Sequence, residues 1–252
     1  MGDNPLMLPR FYAPDLDADV GHVTLPRDEA RHLTRVLRLR AGDEVAVFDG
    51  RGTEFRAVVE TAVRESASLR LLDRLPPAPQ PVVRIMVVQS VLKGGSMDDT
   101  VRDSTMMGAD SIQPVLTAYS DVKVSLARRE STRERWQRVA LAAAKQCRRA
   151  TLPSIEEVRL FDEWIAETRG VLTLILVEPS ARCAPRTLKS LQASAIPARA
   201  AVLLGPEGGW ALEEIEAALR NGGVPITLGP LTLRAESMAV AALASLAAIW
   251  QV

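Results

Sequence analysis

Apolar and polar positions follow two different rhythms along this chain. Before residue 74, short apolar stretches ("HVTL", "EVAVFDG", "EFRAVVETA", "SLRLLD") alternate with the turn signals "AGD" and "DGRG". That rhythm predicts the strands of a small β domain. One helical stretch interrupts it, "DEARHLTRVLR" over 28–38: Ala30, Leu33, Val36 and Leu37 recur at helical spacing, and Arg31, Arg35 and Arg38 fall on other faces. After residue 82 the apolar runs lengthen and lose their alternation. Strands are predicted over 83–92, 111–117, 172–177, 200–205 and 225–229, and helices over 98–108, 132–149, 211–221 and 235–250 and near 185–193. Unbroken Val/Ile/Leu strands spaced by helices predict an α/β domain whose parallel sheet is covered on both faces. Between the two rhythms, "RLPPAPQPV" (74–82) holds four prolines in nine residues, a stiff connector. Domains are therefore expected over 1–75 and 82–252.

Composition adds little by itself. Across 252 residues, 47% apolar and 25% charged describe an ordinary globular chain, and 31 basic residues balance 31 acidic ones. The distribution says more. Nine Lys/Arg lie between Lys123 and Arg149 against Glu130 and Glu134, and Arg27, Arg31, Arg35, Arg38 and Arg40 cluster with His32. Two such patches suit a polyanion partner, although a solvated helix face explains any one of them. Cys147 and Cys183 lie far from each other and from His22 and His32, so neither a disulfide framework nor a metal site is expected. A reducing cytosol fits this usage. No signal-peptide pattern opens the chain, and the longest apolar run, 238–250, is too short to span a bilayer.

The chemistry concentrates in two loops. "LLGPEGGW" (203–210) follows one predicted strand and "LGPLTLR" (228–234) follows another, so both belong at the carboxyl edge of the sheet, where ligands of such sheets bind. Glycine lets the backbone approach a ligand closely, and Pro206 and Pro230 stiffen the turns. Neither loop has the order of a phosphate-binding or dinucleotide-binding glycine motif. Arg234 is the one cation in either loop, and Glu207 would repel an anion. What remains suits a neutral or cationic ligand with an adenine-like part, gripped by backbone at Gly205, Pro206, Gly208, Gly209 and Gly229 and by Leu204, Leu228, Leu231 and Leu233. An ordinary α/β enzyme of small molecules shares this pattern.

"LLGPEGGWALEEI" and "LGPLTLRAESMAVAAL" resemble the signature of the RsmE family, bacterial 16S rRNA (uracil-N3)-methyltransferases of the SPOUT superfamily. "RFY" (10–12), "HLTRVLRLRAGDEVAVFDGRG" (32–52) and "RWQRVALAAAKQCRRATLP" extend the likeness over nearly the whole chain. The resemblance implies a PUA-like RNA-binding β-barrel before a sheet tied in a deep trefoil knot. It also implies S-adenosylmethionine held by both glycine loops and by a third loop at Val177 and Glu178. It implies a cytoplasmic homodimer acting on 16S rRNA of the small ribosomal subunit, with no metal and no membrane. The helix over 235–250, apolar all round, suits either the subunit interface or burial within one subunit.

For the chemistry, Arg234 is the candidate to steady a developing uracil anion. Glu207 is a candidate base, or a cap for the helix that follows. Arg10, His32, Arg35, Arg38, Lys145 and Arg149 are expected to contact RNA. The chain departs from the family pattern at Met106 and Ala118, where acids are usual, at Ala235, and at Ala211, where a capping hydroxyl is usual; Glu213 and Glu214 partly offset that last loss. A degenerate RNA-binding assembly factor of the same fold is the alternative reading.

Overall fold

The computed structural model describes residues 8–76, 79–120, 129–181, 183–193 and 195–250. The chain divides into two compact units. One joins the residues through Pro79 with Ala144–Leu152; the other joins Gln80–Ala143 with Pro153–Val252.

The first unit is a five-stranded sheet. β1 (Arg10–Tyr12), β2 (His22–Thr24), β3 (Glu44–Phe48), β4 (Glu54–Val63) and β5 (Ser66–Arg74) lie in the order β1-β3-β4-β5-β2. β1 joins β3 in parallel, and the other pairs are antiparallel. Phe11, Val45, Val47, Ala57 and Leu69 fill its core, with Leu33 from the helical segment. The helix expected over 28–38 departs from its apolar spacing. α1 (Arg27–Arg31) widens into a π turn over His32–Val36, and Arg38 leaves it at φ 55°. Ala30 and Leu33 are buried, whereas Val36, at 65% exposure, and Leu37 face solvent. The wider turn rotates these last two out of the stripe that a regular helix would have kept inward.

In the second unit β6 (Arg84–Ser90), β7 (Ser111–Leu116), β10 (Leu172–Leu176), β12 (Arg199–Leu204) and β13 (Val224–Thr227) form the body of a parallel sheet. Short strands edge it: β8 (Ser154–Ile155) and β9 (Arg159–Leu160) on β7, and β11 (Arg186–Thr187) on β13. The order is β11-β13-β10-β12-β6-β7-β8. The strands are apolar toward both sides, and two clusters result. α2 (Ser96–Met106) and α6 (Ala235–Trp250) supply one cluster, through Met97, Val101, Ala239, Leu243 and Leu246. α4 (Phe161–Glu167) and α5 (Leu212–Arg220) supply the other, through Phe161, Trp164, Ile165 and Ala218.

α2 ends as expected at Gly108, whose φ of 89° only glycine adopts easily. α3 (Arg129–Cys147) carries Trp136 and Ala140 into the first cluster and runs on into the segment that belongs to the first unit. The helix expected near 185–193 is instead β11 followed by a 3₁₀ segment over Leu188–Ala193. α6 buries one face, Ala239, Ala242, Leu243, Leu246 and Trp250, within the subunit; Ser237, Ala244 and Ala248 lie exposed.

Candidate active site

The strand order decides which loops meet. β13, β10 and β12 are consecutive, so the segments leaving their carboxyl ends rise side by side. They line a cavity of about 700 Å³, a size typical of small-molecule sites. Val177 and Glu178 come from β10, Gly205, Pro206, Glu207, Gly208 and Gly209 from β12, and Leu228, Leu231, Leu233 and Arg234 from β13. Two of the residues expected here stand off the wall. Leu204 is buried in the core, and Gly229 takes the Thr227 hydroxyl on its carbonyl at 3.1 Å. The two glycine loops are not on adjacent strands, because β10 lies between them. That is why its tip, through Pro179, Ser180 and Ala181, enters the wall.

Local packing explains the glycines. A Cβ at Gly205 would meet the Trp210 indole at 3.1 Å, and one at Gly208 would meet Cβ of Tyr119 at 3.1 Å. Gly209 turns the chain at φ 74°. Trp210 is itself fixed: its Nε1 donates to the Leu176 carbonyl at 2.9 Å, and its ring lies 5.1 Å from that of Phe161. Behind the loop, the fully buried Gln89 donates through Nε2 to the carbonyls of Ser90 at 2.9 Å and Gly205 at 3.2 Å.

The acids beside this loop accept backbone N–H groups. Glu207 Oε1 takes the N–H of Lys93 at 3.0 Å. The buried Glu214 takes the N–H of Ala118 at 2.8 Å on one oxygen and that of Ala211 at 3.0 Å on the other. Glu214 thus provides the cap that Ala211 lacks, reaching back from the third helical position as in half a capping box. Glu207 does not cap that helix.

Arg234 lies exposed on the cavity wall beside Ala235 and Glu236, and among the described residues its guanidinium is in no ion pair. Leu231 projects at 77% exposure and Leu233 at 39%. Sequence reasoning missed Ser96, Trp210, Thr232 and Met238, which also line the cavity. Trp210 could have been found, since an aromatic directly after "GPEGG" is placed to cover the loop. Ser96 carries no such signal, for it arrives from a different strand.

Of the residues expected to meet RNA, three are engaged inside the first unit. Arg10, only 8% exposed, pairs with Glu54 at 2.8 and 3.0 Å and stacks over Phe48. It also donates to the carbonyls of Ala144 at 2.9 Å, Lys145 at 3.2 Å and Arg149 at 3.3 Å. It therefore caps the end of α3, where carbonyls lack partners, and its fork is closed to a phosphate. Lys145 bonds both oxygens of Glu29, at 2.8 and 2.9 Å, and Arg149 donates to the Thr151 hydroxyl at 2.8 Å. His32 is half-buried, edge-on to Phe11. Arg35 and Arg38 remain exposed, although Arg35 lies 3.6 Å from a Glu65 oxygen. Beside them, Arg27 donates to Glu65 at 2.6 Å and holds that carboxyl below its ordinary range, with Arg35 and Arg31 adding to the effect. The part of the α3 patch at 121–128 lies outside the described residues.

Among the described residues no group of three or more His, Cys, Asp and Glu is placed to hold a metal, and no helix is long and apolar enough to cross a membrane. Residues 78–247 match the family model of an RNA methyltransferase domain, and residues 25–72 that of an RNA methyltransferase PUA domain. The chain is 32% identical over 227 residues to ribosomal RNA small subunit methyltransferase E of Synechocystis sp., covering 90% of this chain and 73% of that protein. It is 31% identical over 241 residues to the protein of that name from Mycobacterium bovis, covering 92% and 88%. A crystal structure of ribosomal RNA small subunit methyltransferase E from Neisseria gonorrhoeae bound to S-adenosyl methionine aligns at a TM-score of 0.87 and 29% identity, over 96% of this chain and 98% of that one.

Proposed function

The chain belongs to the ribosomal RNA small subunit methyltransferase E family, and from that premise we propose that it methylates N3 of a uridine in 16S rRNA with S-adenosylmethionine as donor. One observation carries the reading: three neighbouring strand tips, carrying both glycine loops, line one cavity with main chain and apolar side chains. Such a wall of backbone and apolar side chains suits a flat heterocycle with a few polar edges.

The residues present fit that donor. The backbone of 205–209 and of Val177 and Glu178 provides amide and carbonyl groups, and Leu228, Leu231 and Leu233 provide apolar cover. When bound, S-adenosylmethionine supplies an electrophilic sulfonium methyl. The chain's part is to align the acceptor and ease its deprotonation. Uracil N3 attacks well only after its proton leaves, and a nearby cation lowers the cost of the resulting anion. Arg234 takes that role, because its charge stands at the cavity with no carboxylate partner among the described residues. RNA is held by Arg35 and Arg38 on the first unit, whose charges face solvent. The target base must leave any stack to reach the cavity.

The same reading extends to a cytoplasmic homodimer whose partner covers Leu231 and Leu233, and to a trefoil knot. For the knot, the support is the place of β13: it follows β12 in the chain yet pairs with both β10 and β11, which precede β12, so the C-terminal segment enters between strands laid down earlier. An experimental trace that pulls out to an untied line would remove the knot. Sedimentation as a monomer at micromolar concentration would remove the dimer.

The decisive assay mixes protein, labelled S-adenosylmethionine and small ribosomal subunits and maps the modified nucleoside. The expected product is one N3-methyluridine in 16S rRNA. Label on no RNA, or on another atom, overturns the proposal.

A further inference from the structure

Glu207 is the sequence's candidate base for uracil N3 and lines the cavity with Glu178 and Glu236, yet one of its carboxylate oxygens already holds main chain. Oε1 accepts the Lys93 N–H at 3.0 Å, and Lys93 lies on the segment leaving β6, not on the glycine loop. Val91 and Leu92 anchor that segment in the core, and the Ser96 N–H reaches the Lys93 carbonyl at 3.1 Å; the Glu207 bond ties it to the glycine loop as well. A Cβ at Gly94 or Gly95 would meet nothing within 4 Å, so neither glycine is packed against a neighbour on that side. The segment then delivers Ser96, the first residue of α2, to the cavity wall.

The same logic repeats along the segment after β12. Trp210 Nε1 reaches the carbonyl of Leu176 at the tip of β10, at 2.9 Å. Glu214 reaches the N–H of Ala118 at the tip of β7, at 2.8 Å. Glu207, Trp210 and Glu214 therefore reach the tips of three different strands, and each makes a bond to main chain. β12 stands between β10 and β6 in the sheet, with β7 next beyond, so side chains following it are placed to reach all of these tips.

We infer that Glu207 is a positioning residue and not the proton acceptor: its carboxylate latches the Lys93–Ser96 wall to the glycine loop and so shapes the cavity for the methyl donor. The inference rests on the functional reading above. A latch needs an acceptor atom at this place, which an amide oxygen also provides. A base needs a carboxylate, which an amide cannot replace. The two roles therefore part on Glu207→Gln.

The test measures donor affinity by calorimetry, without RNA, and single-turnover methyl transfer across pH, for the wild type, Glu207→Ala and Glu207→Gln. A latch predicts that Glu207→Ala weakens donor binding about tenfold, that Glu207→Gln recovers most of that loss, and that the pH profile of the transfer step keeps its shape in both. Loss of the transfer step by about a hundredfold or more in both variants, with donor affinity intact, identifies a base and overturns the inference. Donor binding by Glu207→Ala equal to the wild type also overturns it. A wild-type protein that binds no donor sinks the functional reading instead, which keeps the two failures apart.

Discussion

Arg10 in the first unit and Arg234 at the edge of the parallel sheet carry the same guanidinium in opposite settings. Arg10 is 8% exposed, forks onto Glu54 and caps three carbonyls at the end of α3. Arg234 is exposed beside a cavity and, among the described residues, is in no ion pair. The regions around them differ in the same way. In the first unit, acids meet cations: Glu54 with Arg10, Glu29 with Lys145 and Glu65 with Arg27. At the sheet edge, Glu207 and Glu214 meet backbone N–H groups. A cation whose partners complete its hydrogen bonds builds the fold, whereas one left facing a cavity can act on what enters it. Charge counted along a sequence does not separate the two.

Substitutions test this contrast directly. Arg10→Ala should have the largest effect, a loss of about 3–5 kcal/mol of stability by chemical denaturation, because it strands the buried Glu54 carboxylate and three carbonyls. The salt dependence of RNA affinity should stay as in the wild type; a slope reduced by one phosphate contact would return Arg10 to the RNA surface. Arg234→Ala should leave the melting temperature in place and slow methyl transfer about 10²–10³-fold. A stability loss without a rate loss would make Arg234 structural as well.

Glu214→Ala should cost about 2–3 kcal/mol, since two N–H groups lose their acceptor, and the measure is the shift in denaturation midpoint at constant slope. An unchanged midpoint would mean that water replaces the carboxylate freely. The smallest effect belongs to Glu65→Gln, in the exposed Arg27 network. Hydrogen bonding to Arg27 holds its carboxyl below the ordinary glutamate range, so its contribution is present above that range and is lost as pH falls through the lower folded value. Wild type and variant should differ slightly at neutral pH and converge in acid; a difference that grows in acid would show another cause.

The glycine loops show how far the pattern of residues reaches. Gly205, Gly208 and Gly209 stood out as places where backbone must come close, and the reason turned out to be packing by Trp210 and Tyr119 together with a positive φ. The strands of the parallel sheet were readable because burial on both faces leaves an unbroken apolar run. β1, β8, β9 and β11 were not, since each has two or three residues and too few positions to show a period. The π turn after α1 was equally silent. Val36 and Leu37 sit at helical spacing yet face solvent, and no local rule tells an inward from an outward apolar residue when one turn widens.

By itself the order of residues determined which of the longer segments become strands or helices, where the glycine loops bend, and which loops end at the carboxyl edge of the sheet. Those are local matters of periodicity, backbone freedom and strand direction. Only the tertiary structure decided that β10 lies between the two glycine loops, that Glu207 and Glu214 hold main chain 114 and 96 residues away, and that Arg10, Lys145 and Arg149 are engaged inside the first unit while Arg234 is not. Partners so distant in sequence are chosen by strand order and packing, and neither leaves a mark in the spacing of residues along the chain.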